Sequence, residues 1–438
     1  MTKEGNAVSR RRRAVAAVAA VAVMVLAVAG CGAQKPTSAT TDTKQLEVVS
    51  WWTSGSEAAA LNVLLSAMHQ TNPNVDVVNA AVTGGAGSQA VVALAKQLQD
   101  GNPPDVWQTF AGKSVQGYAD RGVIRDVTSV FTGSDLHATM QPTILRSLMH
   151  GGKPYGVPTG AHRSNMLWLN AELLHRAGVP LPSGDYTLAV FLDGLQKVKA
   201  SGATPLCLGG KDRFTTVELF ENVLLSTIGV KGWQDMAGDR LNWRSAQVRA
   251  ALRTFGDILA YADPEAGTLT WDAATKKLAT GGCAFESLND SAYGELVADG
   301  AQEGKDFAAV AFPGTGDSFL AVVDVFVAAT RAKNAKNALA FLSDISKPAT
   351  QIPFSKAKGS VPVLRNIDIS SLSDYQQDAS KSLWGSSVLL SVAHGEAMSP
   401  EFQEGFYDAV STYVRTRDPD AFARDLENAV TKDKIPPR

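Results

Sequence analysis

The feature that most constrains the fold is a regular alternation of strand-like and helix-like segments after residue 45. LEVVSW, VDVVNAAV and PDVWQTF are short apolar runs typical of buried strands. Between them, EAAALNVLLSAMHQ and SQAVVALAKQLQDG repeat apolar residues every three or four positions, as amphipathic helices do. The connections TNPNV and GNPPD are strong turn signals. This alternation predicts an α/β fold with a parallel, doubly wound sheet.

The rest of the chain adds a second half with a different pattern. A long middle region is mostly helical, and it is followed by two strand-like runs, DFAAVAFPG and SFLAVVDVFVAA, and by a helical C-terminal third. The segment from Gly152 to Gly160, GKPYGVPTG, reads as an extended crossover between domains. Because 438 residues exceed what one core usually serves, we expect two domains or lobes.

The N-terminus has the pattern of an export signal. Arg10 to Arg13 form a cationic start, Ala14 to Ala29 form an apolar run, and VAGC ends at Cys31. The pattern resembles a bacterial lipoprotein signal, in which residues 1–30 are removed and Cys31 becomes the lipidated first residue. The alternatives are an ordinary signal peptide or a membrane anchor. Residues 31–45 are small and polar and are expected to form a flexible tether.

Composition argues against nucleic acid as a partner and leaves the state of two cysteines open. The formal net charge is −2, so the chain lacks the basic excess that nucleic-acid binding requires. Cys207 and Cys283 remain after Cys31. An exported protein can join two such cysteines in a disulfide. Sequence spacing does not show proximity, so a disulfide and two buried thiols are both compatible with the sequence.

No catalytic motif stands out. The sequence has no G-x-S-x-G, H-E-x-x-H, P-loop or C-x-x-C, and its six histidines are scattered without metal-ligand spacing. TGGAGS, Thr83 to Ser88, is not a full dinucleotide fingerprint and fits a turn that needs glycine. We therefore predict no enzymatic activity, no cofactor and no metal. An exported glycoside hydrolase that uses two carboxylates is the rival hypothesis of another class.

Trp51 and Trp52 stand at the end of the first predicted strand. Successive strand residues point to opposite faces, so one tryptophan suits the core and the other the wall of a cleft. Open α/β sheets bind ligands at this end of their strands. We favour Trp52 as the cleft residue.

Six segments follow one another along the chain: VSWW, NAAVTGGAG, GNPPDVWQTFAG, VPTGAHRSNMLWL, KGS and VAHG. Together and in this order they resemble the extracellular solute-binding proteins of ABC sugar importers, closest to the glucose/galactose-binding branch. The resemblance implies two hinge-linked α/β lobes with a ligand cleft between them, the two-lobed periplasmic-binding-protein-like fold of type II. It places lobe 1 at residues 46–155 plus 319–363 and lobe 2 at residues 160–315 plus 366–438.

The resemblance also implies ligand-binding roles for individual residues. Asp324, an acid inside an apolar strand pattern, is expected at the ligand or the hinge, because a buried acid needs partners. Arg163 is expected either at the ligand or in a structural ion pair between the lobes. The full set is Trp51, Trp52, Glu57, Gln108, Phe110, Arg163, Phe214, Trp271, Asp290, Asp324, Lys358 and His394.

Three positions depart from the family pattern. Phe110 stands where the family has His, and Ser291 and Phe214 stand where it has Trp. One hydrogen-bonding group and one large stacking surface are therefore missing. A lost buried hydrogen bond to a ligand costs about 1–3 kcal/mol, so the specificity for glucose is expected to be altered or weakened.

The resemblance implies a lipid-anchored, monomeric sugar receptor on the extracellular face of the cell membrane. It would capture a monosaccharide, glucose-like in the first instance, and deliver it to an ABC permease. The alternative within the same fold is a receptor for a disaccharide, a polyol or another glycoside. A structural lipoprotein without a ligand is a further alternative.

Overall fold

The computed structural model describes residues 44–83, 88–182 and 186–433. Its strands are β1 (Gln45–Val49), β2 (Asp76–Asn79), β3 (Val106–Phe110), β4 (Met149–His150), β5 (Lys153–Pro154), β6 (Val157–Arg163), β7 (Met166–Asn170), β8 (Leu206–Cys207), β9 (Phe285–Ser287), β10 (Phe307–Ala311), β11 (Ser318–Ala328) and β12 (Ser387–Leu390).

The helices fill most of the remaining chain. They are α1 (Gly55–Thr71), α2 (Ser88–Gln99), α3 (Lys113–Asp120), α4 (Thr128–Thr132), α5 (Leu136–Thr139), α6 (Pro142–Ser147), α7 (Ala171–Arg176), α8 (Leu188–Ala200), α9 (Arg213–Ala237), α10 (Ala246–Leu259), α11 (Trp271–Ala279), α12 (Ser291–Ala298), α13 (Ala335–Ile345), α14 (Pro348–Lys358), α15 (Asp374–Gly385), α16 (Pro400–Thr416) and α17 (Pro419–Asp433). Serine side chains cap several of them. Ser373 forms a capping box with Gln376 at the start of α15, which satisfies two otherwise unpaired backbone N–H groups.

The first sheet has six strands within the described part of the chain. Five follow the order β12-β11-β3-β1-β2, and the sixth, β6, also pairs with β11. β1 pairs in parallel with β2 and with β3. The parallel pairing predicted from the alternating pattern is therefore confirmed. Helices α1 and α2 are the crossovers that parallel neighbours require.

β11 organises this sheet. All eleven of its residues are buried, as expected for a continuous apolar run in the middle of a sheet. It pairs antiparallel with β3 and β6 and in parallel with β12. β12 is a strand that the sequence reading missed, because a four-residue run such as SVLL inside a helical region has no period of its own.

The second sheet has four strands in the described residues, in the order β10-β7-β9-β8. The chain passes from the first sheet to the second between β6 and β7 and returns between β10 and β11. The two connections are neighbours, because β6 pairs with β11 and β7 pairs with β10. The lobe boundaries remain a prediction. All of β6 belongs to the first sheet, and so does β12, which the prediction assigns to lobe 2.

The apolar core of the described residues falls into two clusters. One surrounds the first sheet, reaches the helices α1, α13 and α14, and extends to Trp168 and Phe307 of the second sheet. The other joins the second sheet to α9, α10, α16 and α17. Gly229, with φ of +66°, interrupts the helical path of α9, a conformation that glycine adopts readily. The two clusters do not divide strictly by sheet, because Leu320 and Leu389 of the first sheet belong to the second cluster.

Cys207 and Cys283 form a disulfide, with a Cα–Cα distance of 5.7 Å. This resolves the alternative that the sequence left open. β8 and β9 pair in parallel with Cys207 beside Glu286, and Cys283 lies just before β9. The strand register therefore brings the two cysteines together, and register is information that sequence spacing does not contain.

The predicted signal, Cys31 and most of the tether lie outside the described residues, as do residues 84–87 of the glycine-rich turn. Among the helices that are described, none has the length and apolar character needed to span a bilayer.

Candidate ligand-binding site

A narrow cavity lies where the carboxyl ends of β1 and β3 meet the middle of β11 and the start of α12. Its volume is about 40 Å³, room for a few waters at about 10–15 Å³ each. Its walls come from strands of the first sheet, from the segments that follow β1 and β9, and from the helices α1, α9, α11, α12 and α14. The lining residues are Trp51, Trp52, Glu57, Phe110, His162, Phe214, Trp271, Leu288, Asn289, Ser291, Val322, Asp324, Lys358 and His394.

Aromatic rings form a continuous part of the wall. The ring of Phe110 lies 5.1 Å from that of Trp51 and 5.2 Å from that of His394, measured between centroids. Phe214 continues the row at 5.6 Å from His394. Trp271, the first residue of α11, closes the cavity from the side of the second sheet. Tilted and edge-to-face pairs of this kind hold one another in fixed positions.

The tryptophan pair does not divide in the way the strand pattern predicts. Both Trp51 and Trp52 line the cavity, because β1 ends at Val49 and the strict alternation of faces ends with it. Trp52, favoured as the cleft residue, is the more buried of the two, at 1% exposure against 7%. Its ring packs on Phe326 and Phe354 at 5.9 and 5.5 Å. Trp52 therefore serves the core and the cavity together.

Lys358 brings a buried charge to the cavity. Its Nζ lies 3.1 Å from Oε1 of Glu57, donates a hydrogen bond of 2.8 Å to Oγ of Ser291, and sits 5.5 Å from the ring centroid of Trp52. Burial raises the pKa of Glu57, and the positive charge of Lys358 offsets only part of that rise. Ser291, one of the three departures from the family pattern, is thus part of the polar wall.

His162 stands between two carboxylates. Its Nδ1 contacts Oδ1 of Asp290 at short range, and its Nε2 lies 3.2 Å from Oδ2 of Asp324. Burial and the nearby Lys358 lower the pKa of His162, but the two carboxylates raise it by more, so the net shift is upward. Burial raises the pKa of Asp324, yet His162, Lys358 and Gln108 bring it below its usual value. The arrangement favours a charged His162 beside an ionised Asp324.

Gln108, which does not line the cavity, holds the Asp324 carboxylate in place. Its Nε2 donates to Oδ1 of Asp324 at 2.9 Å, and its Oε1 accepts from Oγ of Ser50 at 2.6 Å. Ser50 in turn accepts from the backbone N–H of Trp52 at 3.1 Å. The end of β3, where Gln108 lies, is therefore linked to the end of β1, where the tryptophans lie.

The loop that carries His394 is held by a buried acid of α9. Glu221 accepts hydrogen bonds from the Oγ of Ser391, at 2.9 Å, and from the backbone N–H of Ala393, at 3.1 Å. Burial raises the pKa of Glu221 to about 7, although these bonds lower it. Burial lowers the pKa of His394 to about 3, so its imidazole is neutral at ordinary pH. Neutral imidazole can donate from one nitrogen and accept at the other.

A second acid of α9 supports the opposite wall. Glu218 accepts a 3.0 Å hydrogen bond from Nδ2 of Asn289, whose Oδ1 accepts from the backbone N–H of Ser291 at 3.0 Å. Burial raises the pKa of Glu218 well above its ordinary value. These contacts fix the polar end of Asn289 at the cavity.

The structure places nine of the twelve sequence-predicted residues around this cavity and leaves three outside its lining. Gln108 supports Asp324 from behind. Asp290 is fully buried and accepts from the backbone N–H of Arg163, at 3.1 Å, and from Oη of Tyr375, at 3.0 Å. The nine are Trp51, Trp52, Glu57, Phe110, Phe214, Trp271, Asp324, Lys358 and His394.

Arg163 takes neither of the two places predicted for it. Its guanidinium donates to the carbonyl oxygen of Ser318 at 2.9 Å and to Oδ1 of Asn165 at 3.4 Å, and it lies over the ring of Phe319. No carboxylate of the described residues lies within ion-pair distance of it. The predicted interlobe ion pair is therefore wrong. Arg163 instead ties the end of β6 to the start of β11.

His162, Leu288, Asn289 and Val322 line the cavity without having been predicted there. His162 belongs to the HRSN motif that drew attention to Arg163. Since consecutive strand residues face opposite sides, β6 turns His162 to the cavity and Arg163 away from it. Alternation along that strand was the signal that could have identified His162. The positions of Leu288, Asn289 and Val322 at the cavity depend on how the second sheet packs against the first.

Flat aromatic surfaces, fixed polar groups and a cavity between two sheets define a binding protein for a small polar ligand. Three or more His, Cys, Asp or Glu side chains grouped for a metal ion do not occur in the described part of the chain. The chain belongs to the family of bacterial extracellular solute-binding proteins, whose model matches residues 64–380.

Relatives and solved structures agree with this assignment. An uncharacterized ABC transporter extracellular-binding protein of Pyrococcus horikoshii is 28% identical over 415 residues, which cover 93% of both chains. The xylose/arabinose-binding protein of Haloferax volcanii is 27% identical over 363 residues, 82% of this chain and 78% of the relative. The crystal structure of a bacterial solute receptor with a preference for β-D-galactopyranose superimposes with a TM-score of 0.77 at 17% identity. The match covers 89% of this chain and 98% of that one.

The resemblance to solute-binding proteins of ABC sugar importers and the two-lobed α/β fold are therefore confirmed. Because the family and these relatives are binding proteins, the rival hypothesis of an exported glycoside hydrolase is set aside.

Proposed function

We propose that this protein is the sugar receptor of an ABC importer and that the narrow cavity binds a monosaccharide ring. The observation that carries the proposal is the convergence of the Trp51, Phe110 and Trp271 rings with the polar groups of Asp324 and Lys358 on one cavity. Aromatic rings cover the C–H faces of a sugar, and fixed charges and amides satisfy its hydroxyls. The xylose/arabinose-binding relative supports a monosaccharide as the ligand.

Binding requires the cleft to open. A volume of about 40 Å³ is well below the roughly 300–1,000 Å³ of small-molecule pockets. Two contacts hold the cleft closed across the sheets. Oγ of Ser56 on α1 donates to Glu295 on α12 at 2.6 Å, and Lys358 reaches Ser291. We infer that lobe 1 and lobe 2 separate at the β6–β7 and β10–β11 connections, admit the sugar and close on it.

A glucose-like sugar remains the first candidate, and the departures from the family limit its affinity. Phe110 offers the ligand an apolar edge where the family offers a histidine. Ser291 is already engaged by Lys358 and replaces a large stacking surface. Polyols and other glycosides are the alternative ligands of the same cavity.

The receptor is proposed to sit on the outer face of the cell membrane through lipidated Cys31, and to hand its sugar as a monomer to the permease subunits of the transporter. The Cys31→Ala variant of the full chain tests the anchor. We expect it to move from the membrane fraction to the soluble fraction of the producing cells. An unchanged membrane fraction would contradict anchoring at Cys31.

The binding proposal is tested by isothermal titration of residues 41–438 with glucose, galactose, xylose and arabinose. A sugar that binds only the folded state also raises the thermal midpoint, by about 2.7 kcal/mol of stability at a hundredfold excess over Kd. The test variant is the double substitution Glu57→Gln with Lys358→Met, which removes both members of the buried pair and leaves no unpaired charge. We expect at least a tenfold loss of affinity for the sugar that binds best.

Lys356→Met is the matched control, because Lys356 lies on the same helix but is exposed. Its affinity should equal that of the unaltered protein. Equal affinity in the double variant would contradict this site, and the absence of binding of any sugar to the unaltered protein would contradict the proposed function.

A further inference from the structure

Two of the rings that line the narrow cavity stand at helix starts that lie far apart in the sequence. Phe214 is the second residue of α9, and Trp271 is the first residue of α11. The place of the Trp271 ring on the cavity wall therefore depends on where α11 begins. The spacing of the two rings depends on how the start of α11 is held against the start of α9.

A tight turn just before α9 lies against the segment that leads into α11. The backbone N–H of Asp212 donates to the carbonyl oxygen of Gly209 at 2.9 Å, which closes the turn. Oγ of buried Thr215 donates to the same carbonyl oxygen at 2.9 Å. The backbone N–H of Lys211 donates to the carbonyl oxygen of Leu269 at 3.0 Å, so the turn is bonded to the chain two residues before Trp271.

Asp212 supplies the cap that α11 does not provide for itself. Thr270, the residue before the helix, makes no side-chain capping hydrogen bond. Oδ2 of Asp212 instead accepts from the backbone N–H of Trp271 at 2.8 Å. A carboxylate at this end of a helix satisfies an N–H group that has no partner within the helix, and it is favoured by the helix dipole. Because Asp212 also directly precedes α9, one residue joins the starts of both helices.

Gly209 allows the turn to approach the backbone of α11 directly. A Cβ added at Gly209 would lie 2.5 Å from Cα and 2.7 Å from N of Trp271, closer than Cβ atoms approach a backbone, so the position needs a residue without a side chain. Two residues earlier, β8 ends at Cys207, which the disulfide joins to Cys283 just before β9. The turn is therefore held to the second sheet, and Trp271 is held to the turn.

A second anchor holds the other end of the first turn of α11. Oγ of fully buried Thr275 lies 3.1 Å from the carbonyl oxygen of Trp271 and 3.1 Å from Oε1 of Glu286 on β9. The helix therefore stays attached to the second sheet when Asp212 is lost. The expected consequence of that loss is a movement of Trp271 rather than release of the helix.

We propose that Asp212 is a positioning residue for sugar binding, which sets the place of the Trp271 ring on the cavity wall through the Trp271 backbone N–H. Asp212 is not among the residues that line the cavity, so it acts on affinity through Trp271 and not by contact with the sugar. The inference rests on the proposed function and adds a residue that the sequence prediction did not name.

The test is titration of residues 41–438 with glucose, galactose, xylose and arabinose, at a temperature where every variant is folded by circular dichroism. Asp212→Ala should weaken binding of the most tightly bound of these sugars about tenfold, the scale of one hydrogen bond to a charged group. Asp212→Asn keeps an acceptor oxygen and should restore most of the affinity. Asp272→Ala is the matched control, because Asp272 is an exposed acid in the first turn of the same helix, and its affinity should be unchanged.

A spectroscopic signal separates positioning from general destabilisation. In protein labelled with 5-fluorotryptophan, the Trp271 resonance is the one absent from Trp271→Phe. It should move in Asp212→Ala and keep its position in Asp272→Ala. Gly209→Ala displaces the Trp271 backbone and should reproduce the loss of affinity if Asp212→Ala folds poorly. Gly267→Ala, at an exposed glycine with open space at Cβ, should not.

Two results would overturn the positioning role alone. One is an unchanged affinity in both Asp212→Ala and Gly209→Ala, and the other is a loss of affinity while the Trp271 resonance stays in place. In both cases sugar binding by the unaltered protein would still support the proposed function. Binding of none of the four sugars by the unaltered protein would overturn the positioning role and the proposed function together.

Discussion

Replacing Asp290 by alanine should destabilise the protein by about 3–5 kcal/mol, the usual cost of breaking a buried ion pair. Asp290 is fully buried and accepts from three donors, the His162 ring, the Arg163 backbone N–H and the Tyr375 hydroxyl. Each buried donor left without an acceptor costs about 1–3 kcal/mol, and water or side-chain movement recovers part of the sum. If Asp290 were a ligand-binding residue alone, as the sequence suggested, the ligand-free protein would lose little.

The assay is urea unfolding followed by tryptophan fluorescence and far-UV circular dichroism, whose coincidence licenses a single free energy. Asp100→Ala is the control, because Asp100 is 55% exposed and pairs with exposed Lys96. Exposed pairs contribute about 0–1 kcal/mol. A loss of less than about 1 kcal/mol for Asp290→Ala would refute the reasoning.

The contact between His162 and Asp290 also predicts how the effect of Asp290→Ala on the unfolding free energy depends on pH. The pKa of His162 is raised in the folded protein, so its stabilising charge is fully present below the unfolded value of about 6.5. That stabilisation is lost as pH rises through the raised folded pKa. The difference in unfolding free energy between the unaltered protein and Asp290→Ala should therefore be larger at pH 6 than at pH 9. A difference that grows with pH would show that His162 is neutral beside Asp290.

Three further predictions concern stability. Burial raises the pKa of Glu286 to about 8, so the folded protein loses stability as pH rises from about 4.5. In urea titrations from pH 5 to 8, the unfolding free energy of Glu286→Gln should rise relative to that of the unaltered protein. The expected rise is about 1.4 kcal/mol per pH unit up to that pKa. The disulfide closes a loop with a sequence separation of 76, so Cys207→Ser with Cys283→Ser should cost about 2–5 kcal/mol in the same assay, and an equal free energy would contradict the bond. Gly112 has φ of +65°, and a Cβ there would lie 2.1 Å from a carbonyl oxygen of the loop after β12. Gly112→Ala should therefore lower the melting temperature more than Gly101→Ala, which has a similar φ and open space.

The first sheet could be predicted because its information is local. The alternation of apolar runs and amphipathic helices after residue 45 specifies β1, β2 and β3 as parallel neighbours, and their pairing follows it. β12 could not be predicted, since it pairs with residues of β11 that lie 69 positions earlier (387 − 318 = 69) and its four residues carry no period of their own. The sequence left the disulfide undecided for the same reason, because the proximity of the two cysteines depends on the register of β8 against β9.

Most of the residues named from the sequence line one cavity, but the contacts of each side chain do not follow from the sequence. A ligand-binding segment can be recognised by its sequence motif, but the direction of each side chain depends on the strand or helix that carries it. Asp290 was expected at the ligand, yet it precedes α12 and turns back to His162 on β6. Gln108 was expected there too, and it reaches the cavity only through Asp324.

A buried chain of contacts couples the candidate site to the joining of the two sheets. It runs from Asp290 through His162, Asp324 and Gln108 to Ser50. It begins at the start of α12, directly after β9 of the second sheet, and ends beside β1 of the first. Its two middle members, His162 and Asp324, lie on the paired strands β6 and β11 and line the cavity. A hydroxyl that bonds to Asp324 therefore competes with, or strengthens, the contacts that join the two sheets. Any ligand whose bonds to these groups differ between the open and closed cleft must shift the balance between them by that difference in free energy.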